Sequence, residues 1–210
     1  MIIINHRVNN LFELKKVPPK HGIEIDIRYH KDDLILNHDP FNHHINQSTK
    51  LKDLLINWKN EGPIILNLKS EGIEDACINM MEKYKIKNWF FLDMSMPFLV
   101  KYSDKAQKKE YPYFRPENLA VRFSDREPIE YALSFKGKAK WVWVDYFSNF
   151  PLNKKIVLLL KNAGFKICLV SPEIQSDPIF NTNELADICS NLNIDAVCTK
   201  NTKKWLKFQT

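Results

Sequence analysis

The sequence predicts an α/β fold, a small (β/α)₈ TIM barrel that forms a single domain over residues 1–210. Short apolar runs occur eight times along the chain, and segments with a helical apolar period lie between them. Several runs are nearly continuous, as in the strands of a parallel sheet that is covered on both faces. Eight repeats of strand and helix are typical of a closed barrel. The alternative is an open, doubly wound sheet.

The elements follow from these runs in chain order. The expected strands are Ile2–Ile4, Ile23–Ile27, Ile64–Leu68, Trp89–Leu92, Leu119–Val121, Trp141–Val144, Phe165–Val170 and Ile194–Cys198. The expected helices are Leu51–Trp58, Ile73–Tyr84, Pro97–Tyr102, Pro128–Leu133, Leu152–Leu160 and Glu184–Leu192. Asn9–Lys20 has room for a turn or two of helix, and extra material with a turn at Asp32-Asp33 follows strand two. One of Trp141 and Trp143 is expected to face the barrel interior and the other the helices.

Glycine is scarce, with five isolated residues in the whole chain. Phosphate-binding loops and dinucleotide fingerprints need several glycines at fixed offsets, because the backbone approaches the ligand closely there. The sequence contains no such glycine-rich motif. We therefore expect side chains, rather than backbone loops, to perform the chemistry.

The formal net charge is +6, which is compatible with an anionic substrate or with nucleic acid. No Lys/Arg run exceeds two residues and no basic stripe is interleaved with aromatic residues, so we expect a solvated basic surface and no nucleic-acid partner. The four cysteines form no CxxC pair, which favours a reduced, cytoplasmic protein. No apolar stretch approaches the roughly 18 residues of a membrane span, and that of the N-terminus is too short for a signal peptide.

Each apolar run is followed by a polar residue, at the end of the barrel where active sites lie. These residues are His6, Arg7, Glu24, Asp26, Arg28, His38, Asp39, Asn67, Lys69, Asp93, Ser95, Arg122, Ser124, Asp145, Ser171, Glu173, Thr199 and Lys200. A barrel that is only structural does not need polar residues at all eight strand ends.

Glu24 and Asp26 are two residues apart on one strand, so their carboxylates point to the same side. Two neighbouring carboxylates repel each other and need a cationic partner. A hard divalent cation fits this need. An ion pair with Arg28 or Arg7 is the structural alternative.

His6 and His38 are candidates for an acid–base pair, because histidine titrates near neutral pH. A single histidine is more often structural than catalytic. Two histidines beside paired carboxylates, Arg7 and Lys69 favour the catalytic interpretation.

In this order, His6-Arg7, Glu24-Ile25-Asp26 and His38-Asp39 resemble the HR…ExD…HD signature of the glycerophosphodiester phosphodiesterases. That family is related to phosphatidylinositol-specific phospholipase C. The resemblance implies a phosphoric diester hydrolase of lipid metabolism that acts on a small-molecule phosphodiester.

The resemblance also implies roles for single residues. Glu24 and Asp26 would bind Mg²⁺ or Ca²⁺, with Asn67 in the position of a third ligand. His6 and His38 would be the general base and the general acid, in an order that the sequence leaves open. Arg7 and Lys69 would hold the phosphate oxygens.

The chain departs from the family pattern at several positions. Val8 replaces the glycine that follows His-Arg, and the family's Glu-Asn-Thr motif is missing from the first loop, with only Asn9-Asn10 nearby. Asn67 replaces a carboxylate, and its amide oxygen brings no negative charge. The segment after His38-Asp39, which contains Phe41 and His43, is short; we expect His43 to lie in a loop and Phe41 either to line the pocket or to pack.

Four further strand-end residues are expected to contact the alcohol group of the substrate, or else to form an ion-pair network around the mouth of the barrel. They are Arg122, Asp145, Glu173 and Lys200. Alternative functions are cleavage of the lyase type that releases a cyclic phosphate, and binding of a phosphate ligand without turnover.

Overall fold

The computed structural model describes residues 1–40, 44–175 and 180–208, so Phe41 and His43 lie outside the described residues. Strands and helices alternate along the chain. The strands are β1 Ile2–Asn5, β2 Gly22–His30, β3 Asp33–Leu36, β4 Ile64–Leu68, β5 Trp89–Leu92, β6 Ala120–Phe123, β7 Trp141–Val144, β8 Lys166–Val170 and β9 Ala196–Thr199. The helices are α1 Leu11–Leu14, α2 Leu51–Asn57, α3 Glu74–Lys83, α4 Met96–Lys108, α5 Ile129–Ser134, α6 Lys154–Asn162, α7 Thr182–Cys189 and α8 Thr202–Trp205.

Eight of the strands form one parallel sheet in the order β5-β4-β2-β1-β9-β8-β7-β6. Its two outer strands approach each other, and a parallel bridge between Phe91 and Leu119 joins them. The sheet is therefore a nearly closed barrel with helices between its strands. The predicted (β/α)₈ fold is confirmed, and the open doubly wound sheet is excluded.

The extra material after β2 forms a strand that the sequence analysis did not predict. β3 pairs antiparallel with the end of β2, from Ile27 opposite Leu36 to His30 opposite Asp33. Lys31 and Asp32 both have positive φ, at 47° and 64°, which is the backbone of a two-residue hairpin turn. The predicted turn thus exists, and it connects two strands.

Two apolar layers surround the sheet. The outer layer packs the isoleucines of β2 against the helices, while the inner layer fills the barrel with side chains such as Ile65, Phe90 and Cys168. Trp141 and Trp143 both belong to the inner layer, so their assignment to opposite faces is wrong. Residues two apart on a strand share a face. Trp141 stacks on Phe90 with ring centroids 4.7 Å apart.

Two helices differ from the sequence expectation. α4 extends to Lys108, well beyond Tyr102, and α8 was not expected. α8 buries Trp205 completely, and its indole Nε1 donates to Ser171 Oγ at 2.9 Å. No helix in the described part of the chain is both long and apolar enough to span a membrane. The four cysteines are free and buried.

Candidate active site

The carboxyl ends of β1, β2 and β4 bring together most of the predicted site residues. In parallel strands these ends meet at one mouth of the barrel, and the alternation along β2 directs its isoleucines outward and its acidic residues inward. The residues gathered here are His6, Arg7, Glu24, Asp26, Asn67 and Lys69.

Glu24 is fully buried and held from two sides. Its Oε2 accepts a hydrogen bond from the backbone N–H of Arg7 at 2.7 Å, and its Oε1 accepts one from Asn67 Nδ2 at 2.8 Å. Burial and the neighbouring Asp26 raise the pKa of Glu24 to about 7, although these hydrogen bonds act in the opposite direction. The hydrogen bonds and nearby cations therefore do not fully offset the effect of burial and of Asp26 on the ionised form of Glu24.

Asp26 is also buried, and Asn9 is its main partner. Asn9 Nδ2 donates to Asp26 Oδ2 at 2.8 Å, while Asn9 Oδ1 accepts from the backbone N–H of Asp26 at 2.9 Å. Asn9 is not among the site residues predicted from the sequence. Its position three residues after His6, in the loop that follows β1, is the signal that could have identified it.

Cations approach Asp26 from two directions. Arg7 Nε lies 3.5 Å from its Oδ2 and Lys69 Nζ lies 3.7 Å from its Oδ1. Of the two ion pairs considered from the sequence, the one with Arg7 is present. Arg28 instead directs its guanidinium to backbone carbonyls.

The oxygens at the centre of the site fit a hard cation. Asp26 Oδ1 and Asn67 Oδ1 are buried, and neither has a hydrogen-bond partner among the described residues. A buried oxygen without a partner is costly, and coordination of a metal would satisfy it. Within residues 1–40, 44–175 and 180–208, no three His, Cys, Asp or Glu side chains converge as a metal site. A cation here would thus rely on two carboxylates and the Asn67 amide.

The two histidines have different surroundings. His6 is largely buried, with Nε2 3.7 Å from Glu24 Oε2. Burial, with the nearby charges of Arg7, Lys200, His38 and Lys69, lowers the pKa of His6 to about 3, so its imidazole is neutral at pH 7.

His38 lies at the end of β3 with its side chain 39% exposed. Its Nδ1 is 2.8 Å from Asp39 Oδ1, so the neighbouring carboxylate orients the ring and leaves Nε2 for other contacts. This pairing of an imidazole with a carboxylate is common in acid–base catalysts.

An ion-pair network occupies the opposite side of the mouth. Arg122 donates to Asp93 Oδ1 and to Asp145 Oδ2, each at 2.6 Å, and its Nε lies 3.3 Å from Glu127 Oε1. Asp93 also pairs with Lys69 at 3.2 Å. Burial alone would lower the pKa of Arg122, but Asp145 and Asp93 outweigh it and raise this pKa. For Arg122 and Asp145, the arrangement is the network that the sequence analysis gave as the alternative to substrate contact.

Glu173 and Lys200 lie together after β8 and β9. The Glu173 carboxylate accepts hydrogen bonds from the hydroxyls of Ser171, Thr182 and Thr199 and from the backbone N–H groups of Lys200 and Asn201. These bonds outweigh the effect of burial and lower the pKa of Glu173. Glu173 thus ties three segments together, whereas the side chain of Lys200 is exposed.

A cleft of about 360 Å³ opens beside His6. Its lining residues are Asn5, His6, Arg7, Val8, Glu13, Lys16, Val17, Thr199 and Lys200. Arg7, Lys16 and Lys200 outnumber Glu13 among the charged residues of this lining, so the cleft has a net positive charge that is complementary to an anion.

Comparison with solved structures places this architecture among the (β/α)₈ barrels. The fold is similar to glycerophosphodiester phosphodiesterase from Agrobacterium tumefaciens, with a TM-score of 0.69, 13% identity, and coverage of 99% of this chain and 98% of that one. It is also similar to a glycerophosphoryl diester phosphodiesterase from Parabacteroides distasonis, with a TM-score of 0.68, 12% identity, and coverage of 99% and 85%. At this identity the likeness establishes the fold. No family model and no curated protein matches the sequence.

Proposed function

We propose that this protein is a metal-dependent phosphodiesterase that acts on a glycerophosphodiester or a related glycerol- or sugar-phosphate diester. The observation that carries the proposal is the convergence of two buried carboxylates, His6 and two cations at the barrel mouth, with His38 near enough for its charge to lower the pKa of His6. The enzymes with similar folds support the same chemistry.

Glu24, Asp26 and the amide oxygen of Asn67 would hold Mg²⁺ or Ca²⁺. Such an ion supplies positive charge that stabilises the phosphoryl oxygens as negative charge develops on them. Arg7 and Lys69 would bind the same oxygens. Lys69 now contacts Asp93 and Asp26, and the arriving phosphate would compete with these carboxylates for its ammonium group.

The histidines divide the proton transfers. His6 is neutral because it is buried among cations, so it can accept the proton of the attacking hydroxyl. His38, oriented by Asp39, can donate a proton to the leaving alkoxide. The new phosphorus–oxygen bond forms as the bond to the leaving alcohol breaks, and the proton lost at one oxygen is balanced by the proton gained at the other.

The test is turnover of glycerophosphocholine and of bis(p-nitrophenyl) phosphate with Mg²⁺, with Ca²⁺ and with EDTA. We expect EDTA to abolish turnover and His6→Ala and His38→Ala each to lower kcat by about 100-fold or more. His30→Ala is the matched control, because His30 lies in the β2–β3 hairpin and contacts Asn46 instead of the site. Full turnover in both site variants would sink the proposal.

Asn67 favours a second candidate, cleavage of the lyase type on the same site. A ligand set with one fewer negative charge holds its cation less firmly for the second, hydrolytic step. Phosphorus NMR of the first products decides between the two: a cyclic phosphate that accumulates indicates the lyase, and a monoester from the first turnover indicates the hydrolase.

A further inference from the structure

Arg28 occupies an unusual position for a charged residue on the site-bearing strand. It follows Glu24 and Asp26 at the same two-residue period on β2, so it extends their row toward the mouth. No described carboxylate forms an ion pair with it. Its hydrogen bonds go to the backbone instead.

Those hydrogen bonds connect two segments that carry proposed catalytic groups. Arg28 Nε and Nη2 both donate to the carbonyl oxygen of His38, at 3.1 and 2.8 Å, and Nη1 donates to the carbonyl oxygen of Lys69 at 2.8 Å. One planar guanidinium therefore binds the segment after β3 and the segment after β4. Because guanidinium N–H groups have a fixed geometry, this contact sets the distance between the two carbonyls.

Both segments lie just beyond the ladders of their strands. His38 follows the last residue pair of the β2–β3 ladder by two residues, and its side chain is partly exposed. Lys69 follows the last residue of β4, where its backbone N–H still donates to Ile27 O at 2.9 Å. The hydrogen bonds of the Arg28 guanidinium go to the backbone of both segments and not to the side chains of His38 and Lys69.

We propose that Arg28 is a positioning residue for the phosphodiester reaction: it holds the backbone of His38 and of Lys69 at one fixed separation, so that proton donor and phosphate-binding cation act on the same substrate. This inference rests on the proposed function and adds a residue to it. Misplacement of a reacting group by about 1 Å can cost about 100-fold in rate.

Arg115 provides a matched control. Like Arg28, it makes three hydrogen bonds to backbone carbonyls, here those of Tyr111, Pro112 and Phe114, at 2.6 to 2.9 Å. It precedes β6 and so lies at the end of the barrel opposite the mouth. Arg115→Ala removes the same type of contact from a place where no proposed catalytic residue depends on it.

The experiment compares Arg28→Ala, Arg28→Lys and Arg115→Ala in kcat, KM and Mg²⁺ affinity. We expect Arg28→Ala to lower kcat about 10- to 100-fold and to leave Mg²⁺ affinity within about twofold, since the guanidinium does not contact Glu24, Asp26 or Asn67. Arg28→Lys should give an intermediate kcat, because an ammonium lacks the planar fork that binds both carbonyls. Millimolar guanidinium chloride should restore part of the kcat of Arg28→Ala, and Arg115→Ala should retain the kcat of the wild type.

Hydrogen exchange separates the outcomes further. The backbone amides of residues 37–39 and 69–70 should exchange faster in Arg28→Ala than in Arg115→Ala. An active wild type together with equal kcat values for Arg28→Ala and Arg115→Ala overturns the positioning role and leaves the proposed function intact. A wild type without phosphodiesterase activity overturns the proposed function, and unchanged exchange in both segments then overturns the connection as well. If Arg28→Ala does not fold, Arg28→Lys decides: a kcat equal to that of the wild type overturns the role.

Discussion

Asn9 binds Asp26 twice, through its carboxylate and through its backbone N–H, at 2.8 and 2.9 Å. A side chain from the loop after β1 thus fixes the orientation of the Asp26 carboxylate and its position relative to the backbone of β2. Partners of this kind orient metal ligands, and their loss commonly reduces metal affinity 10- to 100-fold.

We therefore expect Asn9→Ala to weaken Mg²⁺ or Ca²⁺ binding about 10- to 100-fold, as measured by calorimetry. Asn10→Ala is the neighbouring control. Asn10 Oδ1 caps α1 by accepting from the backbone N–H of Glu13 at 2.8 Å, so this variant should lose about 1 kcal/mol of stability and keep its metal affinity. Equal metal affinities in both variants would contradict the role assigned to Asn9.

The pKa of Glu24 predicts how metal binding and stability depend on pH. In the metal-free protein this pKa is about 7, raised from 4.5 by burial and by Asp26, so between these values the folded state holds a proton that the unfolded state has lost. The contribution of Glu24 to the free energy of unfolding therefore falls as the pH rises from 4.5 to 7. His6, with its lowered pKa, acts in the opposite direction, so the measurement is the difference in Tm between wild type and Glu24→Gln across this range. A Tm difference that does not change with pH over this range would contradict the raised pKa of Glu24.

The same protonation competes with the cation. Added Mg²⁺ or Ca²⁺ should raise Tm more at pH 7.5 than at pH 5.5, because a bound cation requires the ionised Glu24. Glu24→Gln should lose most of this metal-dependent shift at both values. A shift that is equal at the two pH values would argue against Glu24 as a ligand.

Asn67→Asp tests whether Asn67 belongs to the proposed set of metal ligands. The variant loses the 2.8 Å hydrogen bond to Glu24 and adds a third buried carboxylate, so Tm without metal should fall. With metal, the extra charge should raise affinity about tenfold or more. Asn67→Ala separates the two effects, since it loses the hydrogen bond without the added charge. If Asn67→Asp binds metal no better than wild type, Asn67 is outside the ligand set.

Glu173→Gln should change stability and leave catalysis intact. Because the carboxylate of Glu173 binds five donors from its own chain, we expect a loss of about 1–3 kcal/mol in the free energy of unfolding with unchanged KM. The exposed Glu110, changed to Gln, serves as the control for removing a charge. A rise in KM for glycerophosphodiesters would instead show that Glu173 contacts the substrate.

The barrel could be predicted from the sequence because its strands are short apolar runs at regular spacing. Where the prediction missed an element, local backbone geometry was responsible. Lys31 and Asp32 adopt positive φ and fold β3 back on β2, which the apolar pattern alone does not reveal. α8 contains little apolar sequence beyond Trp205, and the hydrogen bond from Trp205 to Ser171 joins residues that are 34 positions apart in the chain, which no local pattern reveals.

Of the contacts within the candidate site, only the proximity of the two carboxylates on β2 could be predicted from the sequence. Glu24 and Asp26 share a face by the period of a strand, so their proximity follows from the sequence. The contacts of Arg122 with Asp93 and Asp145 join three different strands, and no spacing in one chain encodes such a pairing. For Arg28 the sequence suggested a carboxylate partner, and the structure places two carbonyls there, because the hairpin and the end of β4 bring them within its reach.

The seam between β5 and β6 is held together differently from the rest of the barrel wall. Elsewhere the strands are joined by continuous ladders, but here the described contacts are the Phe91–Leu119 bridge, a hydrogen bond from Asn118 to the carbonyl of Trp89, and the Arg122–Asp93 ion pair at the mouth. At the mouth end of the seam, the Arg122–Asp93 ion pair takes the place of backbone pairing. Salt screens an ion pair at a partly exposed position more than it weakens a backbone ladder, so this is the part of the barrel wall whose cohesion depends most on charge.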